Sequence, residues 1–323
     1  MFKWQDDYIL ENGQLNDSII VKREPLETIT KGRIIERVYT TPEESFIFKR
    51  FTNDSQSGKE IWVQENILTS FPNFYPKIIA YSFSVSQYTG WTAFTDLGSI
   101  KHEYTSDILN DVTKQIVWWH SLPVGMWKNA PLSGLKPKIE EIKMSLKQSK
   151  NKINKYLSIA NIPKRYISVL FSHLEKWEFS KELVLSHGDL HTGNFGMSQN
   201  KLVILDWEYA HLNTRYWDLY HLIDLSHPLY PKKVTSELRN QILNEYFNRA
   251  NSSRSKLQKE SFKAEYYLFS ATFSLWMIML IVEDLKRKDN RWTEEVLMNQ
   301  LDETSISFVQ CIEELTKGTS LET

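Results

Sequence analysis

Cysteine is almost missing: Cys311 is the only one in 323 residues. The chain therefore forms no internal disulfide and builds no multi-thiolate zinc site. A reducing, cytoplasmic setting is the natural expectation. Glycine is scarce as well, 11 residues, about 3% against a usual 7%, which argues against collagenous or glycine-rich low-complexity organisation. Excess charge of either sign is lacking, with 39 Lys and Arg against 40 Asp and Glu. A polyphosphate backbone would find no general attraction, so nucleic acid is not an expected partner. The longest apolar run, Tyr266 to Val282, is 17 residues and includes Ser270, Thr272 and Ser274, just short of the roughly 18 to 20 that span a bilayer. Closely flanked by charge, it reads as a buried core helix, and no membrane partner is expected. The amino terminus, MFKWQDDYILENGQ, has no basic segment followed by an apolar stretch and cleavage site, so export is not expected.

What is present is ordinary globular usage: 41% hydrophobic and 24% charged residues, enough to bury a core over most of the chain. Length alone gives a prior of about two structural units. The first hundred residues are strand-rich. Ile34 to Tyr39 and Ser45 to Phe51 flank the turn-like TTPEE, which predicts a hairpin. A helix is predicted over Ser57 to Phe71, where apolar residues recur at helical spacing, and two strands over Tyr75 to Phe83 and Tyr88 to Thr95. The segment thus reads β-β-α-β-β. Beyond Ser106 the periodicity turns helical, over Ile108–His120, Lys138–Leu157, Ile167–Phe179, Trp217–Leu225, Val234–Ala250, Phe262–Leu285 and Thr293–Leu315. The compositional shift near Asp96 to Ser106 sets the domain boundary, with units over 1–96 and 97–323. The lysine-rich stretch Lys136 to Lys155 contains Glu140 and Glu141 at helical spacing and reads as a solvated helix rather than an anion-binding face.

One polar, irregular segment interrupts the helices, LVLSHGDLHTGNFGMSQNKLVILDWEYA from Leu183 to Ala210. Its ends, Leu183–Ser186 and Lys201–Leu205, read as a strand pair that carries the loop between them. A hairpin of this kind brings Asp189, Asn194 and Asp206 to one end. The amide oxygen of Asn194 and the carboxylate of Asp206 are hard ligands that suit Mg²⁺. Asp189, with no metal duty, is then placed to accept a hydroxyl proton and orient that oxygen toward a terminal phosphate.

The pattern H-x-D-x-x-x-x-N followed by a strand and Asp is similar to the catalytic loop and metal-binding Asp of protein-kinase-like folds. With His187-Gly188-Asp189-Leu190-His191-Thr192-Gly193-Asn194 and Ile204-Leu205-Asp206-Trp207-Glu208, the chain resembles the aminoglycoside phosphotransferase and choline kinase family rather than protein kinases. The resemblance runs from about Thr30 to Leu225, the last hundred residues matching only as helices. It implies an α+β, two-lobed protein-kinase-like fold with a β-rich N-lobe and a mainly helical C-lobe. It implies a kinase that transfers the γ-phosphoryl of ATP, or of GTP, with Mg²⁺ to a hydroxyl of a metabolite or aminoglycoside-like acceptor.

The same resemblance implies further parts. Ser45-Phe46-Ile47-Phe48-Lys49-Arg50-Phe51 resembles the strand bearing the nucleotide-binding lysine, so Lys49 is the candidate for the α- and β-phosphates. Lys59-Glu60-Ile61-Trp62-Val63 resembles the start of the following helix, with Glu60 holding that lysine and Glu65 in reserve. Trp91 to Gly98 looks like the hinge strand whose backbone meets adenine, at Thr95 and Leu97. Arg215-Tyr216-Trp217-Asp218-Leu219 resembles the segment whose aspartate braces the catalytic loop. The phosphate-covering loop departs from the protein-kinase G-x-G-x-x-G pattern, since Ile29 to Ile34 offers Gly32 alone. That degeneracy is the main argument for an alternative, a kinase-like binding or spore-coat-type structural protein without turnover. No activation-segment A-P-E precedes Asp218, which weighs against a protein kinase.

The remaining residues have plainer readings. His187 and His191 serve loop geometry, and they lack the thiolates of a zinc site. Trp207, Tyr209, Tyr216 and Trp217 with Glu208 suggest an ammonium cage, but core packing is the more economical reading. Glu283, Asp284, Asp302 and Glu303 read as solvated helix faces. Neither charge nor periodicity sets an oligomeric state.

Overall fold

A computed structural model describes residues 3–29, 33–50, 58–82, 90–127, 129–252, 258–287 and 292–319. The chain divides into two compact units, Met1–Lys101 with Gly196–Tyr209, and His102–Phe195 with Ala210–Thr323. The segment Gly196–Tyr209 packs with the first unit although it lies far beyond residue 96 in sequence.

The first unit is built on a five-stranded antiparallel sheet in the order β1-β2-β3-β5-β4. Its strands are β1 (Lys22–Ile29), β2 (Arg33–Tyr39), β3 (Ser45–Arg50), β4 (Ile78–Ser82) and β5 (Trp91–Thr95), with helix α1 (Lys59–Asn66) between β3 and β4. The predicted hairpin, helix and two strands are all present; β2 starts one residue earlier than expected and β4 three residues later, while the predicted ends at Phe51, Ser57, Phe83 and Tyr88 lie outside the described residues. Strand β1, which the sequence reading leaves out, pairs with β2 and extends the sheet. The alternation of side chains along β3 sorts its residues by face. Phe46 and Phe48 join Val38 and Ala93 in a core closed by Tyr8, Ile9 and Leu15 from the amino-terminal segment. Lys49, one residue on from Phe48, emerges on the opposite face.

The second unit is mainly helical: α2 (Ser106–His120), α3 (Ile139–Gln148), α4 (Lys150–Ile159), α5 (Arg165–Lys176), α6 (Tyr216–Ile223), α7 (Ser236–Ser252), α8 (Lys259–Arg287) and α9 (Glu294–Thr319). The helix predicted over Lys138–Leu157 is two helices, broken at Ser149 (φ −92°, ψ 4°). A serine competes for local backbone hydrogen bonds and is a common helix boundary. Helix α8 is long and apolar enough to cross a membrane by length and composition alone, and 61% of its most apolar stretch is buried within the fold. It packs against α3 to α7 and α9, as the core-helix reading expects.

The strand pairing around the polar segment differs from expectation. Strand β6 (Val184–Ser186) pairs with β9 (His211–Asn213), not with β8 (Lys201–Ile204). Strand β8 instead pairs with β7 (Phe195–Ser198). The β7–β8 connection has Gln199 (φ 49°) and Asn200 (φ 61°) in the left-handed region, the backbone of a tight hairpin turn. A three-residue strand carries too little periodicity to reveal its partner, so β9 has no signal in sequence.

Candidate active site

In the first unit, three acids gather on Lys49. Its Nζ donates to Glu60 Oε2 at 3.1 Å and to Asp206 Oδ1 at 3.3 Å, and Glu208 Oε2 lies 3.8 Å away. Lys49 comes from the face of β3 opposite the aromatic core. Glu60 enters at the first turn of α1, and Asp206 lies two residues beyond the end of β8. Asp206 holds a left-handed backbone (φ 53°), a conformation Asp tolerates better than most residues. It starts the single turn Trp207–Tyr209, which buries Trp207 against Phe71 and Phe74 and delivers Glu208 to Lys49. Burial alone would depress the Lys49 ammonium, but Asp206, Glu60 and Glu208 together hold it well above its ordinary value. Glu60 is pushed up to about 7, first by burial and then by the neighbouring acids, against the pull of Lys49. Three carboxylates around one ammonium leave an excess of negative charge, which makes Glu60 easier to protonate than an ordinary carboxylate.

The predicted hinge lies in the same unit. Thr95 pairs with Phe46 across β3 and β5. Its N–H donates to the Lys77 carbonyl and its Oγ1 accepts from the Lys77 N–H. Leu97 accepts the Ser198 hydroxyl at its carbonyl. Between them, Asp96 is fixed by Arg37 (Nε to Oδ2 2.6 Å), by the Ser45 hydroxyl at 2.6 Å and by the Gly98 N–H at 2.8 Å. Arg37 also donates to the Gly98 carbonyl at 2.9 Å, so one guanidinium clamps the segment that leaves β5. No sequence reading singled out Arg37; its signal, an arginine on the strand beside β3, is common to many sheets. Gly32 lies outside the described residues.

In the second unit, the loop after β6 is organised around Asp218 of α6. This fully buried carboxylate accepts from the Ser186 hydroxyl (2.6 Å), the His187 N–H (3.0 Å), Trp119 Nε1 (3.1 Å) and His120 Nε2 (3.1 Å). Burial raises its pKa, but the hydrogen bonds from His120 and Ser186 outweigh burial and hold it well below the usual carboxylate range. The brace inferred from Arg215 to Leu219 is therefore in place. The backbone turns at Gly188 with φ 90°, where a side chain would be strained. Trp217 Nε1 donates to the Gly188 carbonyl at 3.0 Å.

Asp189 follows this turn. Asn194 Nδ2 donates to its carbonyl at 2.8 Å, and the His191 N–H donates to the same oxygen at 2.9 Å. His187 Nδ1 accepts the Asp189 N–H at 3.3 Å, and His191 Nδ1 accepts the Gly193 N–H at 3.0 Å. Both histidines serve loop geometry, and His191 also stacks on His227 with ring centroids 4.2 Å apart. Gly193 is needed for space: a Cβ there would meet the Tyr230 ring at 2.3 Å.

The Asp189 carboxylate has a partner that sequence reading missed. Lys136 Nζ donates to Oδ1 at 2.9 Å. Burial raises the Asp189 pKa, but the charge and hydrogen bond of Lys136 outweigh burial and hold it well below the ordinary range, so the group is ionised. Lys136 lies before α3 in the loop that joins it to α2. The reading of Lys136 to Lys155 as one solvated helix fails at its first residue, because a loop lysine with no periodic context carries no sign of what it faces.

The predicted residues thus form two groups, Lys49, Glu60 and Asp206 in the first unit and Asp189 with Asn194 in the second. Their donor types suit a hard divalent cation. Asn194 commits Nδ2 to a carbonyl, which leaves its amide oxygen as a hard donor, and Asp206 is half-exposed (47% at its side chain). Among the described residues no group of three His, Cys, Asp or Glu forms a metal cage, and Mg²⁺ that shares substrate phosphates and waters requires none. The aromatic residues pack as core: Trp217 meets Phe273 edge-on, and Tyr216 stacks on Phe262.

No curated protein matches the sequence. Solved structures share the fold. Aminoglycoside 2'-phosphotransferase-IIIa bound to GDP is 16% identical at a TM-score of 0.59, with 90% of this chain and 95% of that one covered. A choline/ethanolamine kinase family protein from Mesorhizobium loti is 13% identical at 0.58, with 93% and 94% covered. Choline kinase from Cryptosporidium parvum is 16% identical at 0.55, with 96% and 94% covered. The architecture is accordingly α+β and protein-kinase-like, a β-sheet N-terminal part followed by a helical C-terminal part. The sequence profile of the phosphotransferase enzyme family matches residues 76–256, more than half of the chain, and with the catalytic-loop pattern inside that span the chain belongs to this family.

Proposed function

We propose that the chain is a small-molecule kinase that transfers the γ-phosphoryl group of ATP, or of GTP, to a hydroxyl of a metabolite or aminoglycoside-like acceptor. The observation that carries the reading is the meeting of Lys49, Glu60 and Asp206, from β3, α1 and the segment after β8, at one buried ammonium. A cation fixed this way serves to neutralise α- and β-phosphate charge, and Glu60 keeps it extended toward that task. Thr95 and Leu97 provide the backbone for the nucleotide base. The Leu97 N–H makes no hydrogen bond within the described residues, and it is the donor this reading assigns to the base. Asn194 and Asp206 would hold Mg²⁺, which supplies charge neutralisation on the phosphates when bound. Asp189, ionised and held by its loop, accepts the proton of the acceptor hydroxyl. Catalysis on this reading is mainly positioning and charge stabilisation.

The test is Mg²⁺-dependent binding of ATP and GTP, followed by transfer to a panel of choline, ethanolamine, kanamycin and neutral sugars. Asp189→Ala is expected to abolish transfer while leaving the fold and nucleotide binding intact. Normal turnover in that variant defeats the assignment, and nucleotide binding with no transfer to any acceptor favours a kinase-like binding protein.

A further inference from the structure

Lys136 does more than neutralise charge, because its place is fixed by a chain of hydrogen bonds with only one consistent direction. His221 Nδ1 lies 2.8 Å from the Trp217 carbonyl oxygen, which can only accept, so Nδ1 carries the proton. His221 Nε2 then presents a lone pair, and Lys136 Nζ lies 3.3 Å from it. Burial, reinforced by Lys136, brings the His221 pKa down to about 3, so the imidazole is a neutral acceptor. The ammonium's other bond runs to Asp189 Oδ1 at 2.9 Å. Asp189 Oδ2 faces His191 Nε2 at 3.7 Å, beyond hydrogen-bond distance. The two oxygens of the carboxylate are therefore unequal: Oδ1 is held, and Oδ2 is left to another donor. Both side chains are largely buried, Lys136 at 15% exposure and Asp189 at 16%, so solvent screening does not erase the constraint.

We propose that Lys136 is a positioning residue that locks the Asp189 carboxylate so that Oδ2 receives the acceptor's hydroxyl proton, with His221 locking Lys136 in turn. This rests on the assignment of Asp189 as base under the proposed function. In the transfer step the acceptor O–H bond breaks and its proton goes to Oδ2. The oxygen's electron pair forms the new bond to the γ-phosphorus as the bond from that phosphorus to the β–γ bridging oxygen breaks, releasing nucleoside diphosphate. Lys136 neither gains nor loses a proton. Its contribution is the angle and rotation of the carboxylate, which decide whether Oδ2 meets the hydroxyl in line.

The experiment compares wild type, Asp189→Asn, Lys136→Met and Lys136→Arg in MgATP-dependent transfer to choline, ethanolamine, kanamycin and water, with circular dichroism as the check on folding. Lys136→Met is expected to lower kcat about 100-fold while the KM for ATP stays within about threefold. Lys136→Arg is expected to recover kcat to within about tenfold of wild type, since a guanidinium can still donate to both Oδ1 and Nε2. Where the methionine variant does not fold, Lys136→Gln replaces it with the same expectation. Wild-type kcat in Lys136→Met, with transfer lost in Asp189→Asn, overturns the positioning role and leaves the base assignment standing. Transfer at the wild-type rate in Asp189→Asn, or none to any alcohol or to water in wild type, overturns the base assignment and this inference together.

Discussion

Lys49 and Glu60 meet as a buried ion pair, Nζ to Oε2 3.1 Å, with each side chain only 8% exposed. Removing either partner has different consequences. Lys49→Met leaves Glu60, Asp206 and Glu208 facing one another without a cation. It is expected to weaken MgATP binding by at least about tenfold and to cut phosphoryl transfer by about 100-fold. Glu60→Gln still accepts a hydrogen bond from Lys49 but no longer opposes its charge, so a smaller loss of about tenfold is expected. Calorimetric titration with MgATP and a transfer assay on both variants separate the two effects, and equal losses would contradict the roles given to lysine and glutamate.

Asp218 is the second point where one side chain supports many. Its carboxylate accepts from Ser186, His187, Trp119 and His120 at 2.6 to 3.1 Å. Asp218→Asn turns one accepting oxygen into a donor that faces donors. The expected cost is about 3 kcal/mol of unfolding free energy, read as a shift of the urea midpoint. Activity is expected to fall further than nucleotide affinity, because the displaced backbone is that of His187 and Gly188, directly before Asp189. A midpoint unchanged from wild type would show that the brace is not structural.

Much of this was legible in sequence, for reasons that differ by residue. Lys49 could be read because the segment Ser45 to Phe51 resembles the family's lysine-bearing strand, and the alternation that puts Phe46 and Phe48 on the core side leaves Lys49 on the other. Glu60 opens a helix, and the loop from His187 to Asn194 carries side chains whose types are constrained by chemistry. The long helices announce themselves through periodicity, their ends shifting by a few residues. Strands β1 and β9 gave no such signal: the first is exposed over much of its length and the second is three residues long. The break at Ser149 is a local choice that periodicity overrides. Lys136 was missed because its partner lies 53 residues away and nothing in a loop lysine distinguishes solvent from a buried carboxylate.

Two buried histidines and Asp218 are expected to withdraw stability as the solution is acidified, in two stages. Burial lowers the pKa of His120 and takes that of His221 down to about 3. Below about pH 6.5 the unfolded chain takes up protons at these residues while the folded chain resists, so stability declines as pH falls from 6.5 toward 3. For one such histidine the slope is roughly 1.4 kcal/mol per pH unit. Asp218, whose folded pKa is depressed, adds a second loss below about pH 4, where the unfolded chain protonates its carboxylate first. Urea unfolding between about pH 7.5 and 5 should show the first stage, and His221→Gln should reduce its slope by one histidine's share. Glu60, pushed up to about 7, works the other way over the same range, regaining stability as it protonates. The test is therefore the difference between wild type and His221→Gln: identical slopes in the two proteins would contradict the buried, neutral imidazole of His221.

Gly193 makes the sharpest steric prediction. A Cβ at this position would lie 2.3 Å from Cε2 and 2.7 Å from Cδ2 of Tyr230, well inside contact distance, and the Tyr230 ring is itself packed with His227 at 5.3 Å and His191 at 5.9 Å between centroids. The ring cannot retreat without disturbing the His191–His227 stack, so the strain passes into the loop that ends at Asn194. Gly193→Ala is expected to cost about 1–3 kcal/mol and to lower transfer activity. Tyr230→Ala removes the obstacle, so the double variant Gly193→Ala with Tyr230→Ala should be more stable than the sum of the two single losses predicts. Thermal or urea unfolding of the four proteins gives the coupling. Strict additivity would mean that the loop, rather than the ring, absorbs the added methyl, and that Gly193 is required for its backbone and not for the space above it.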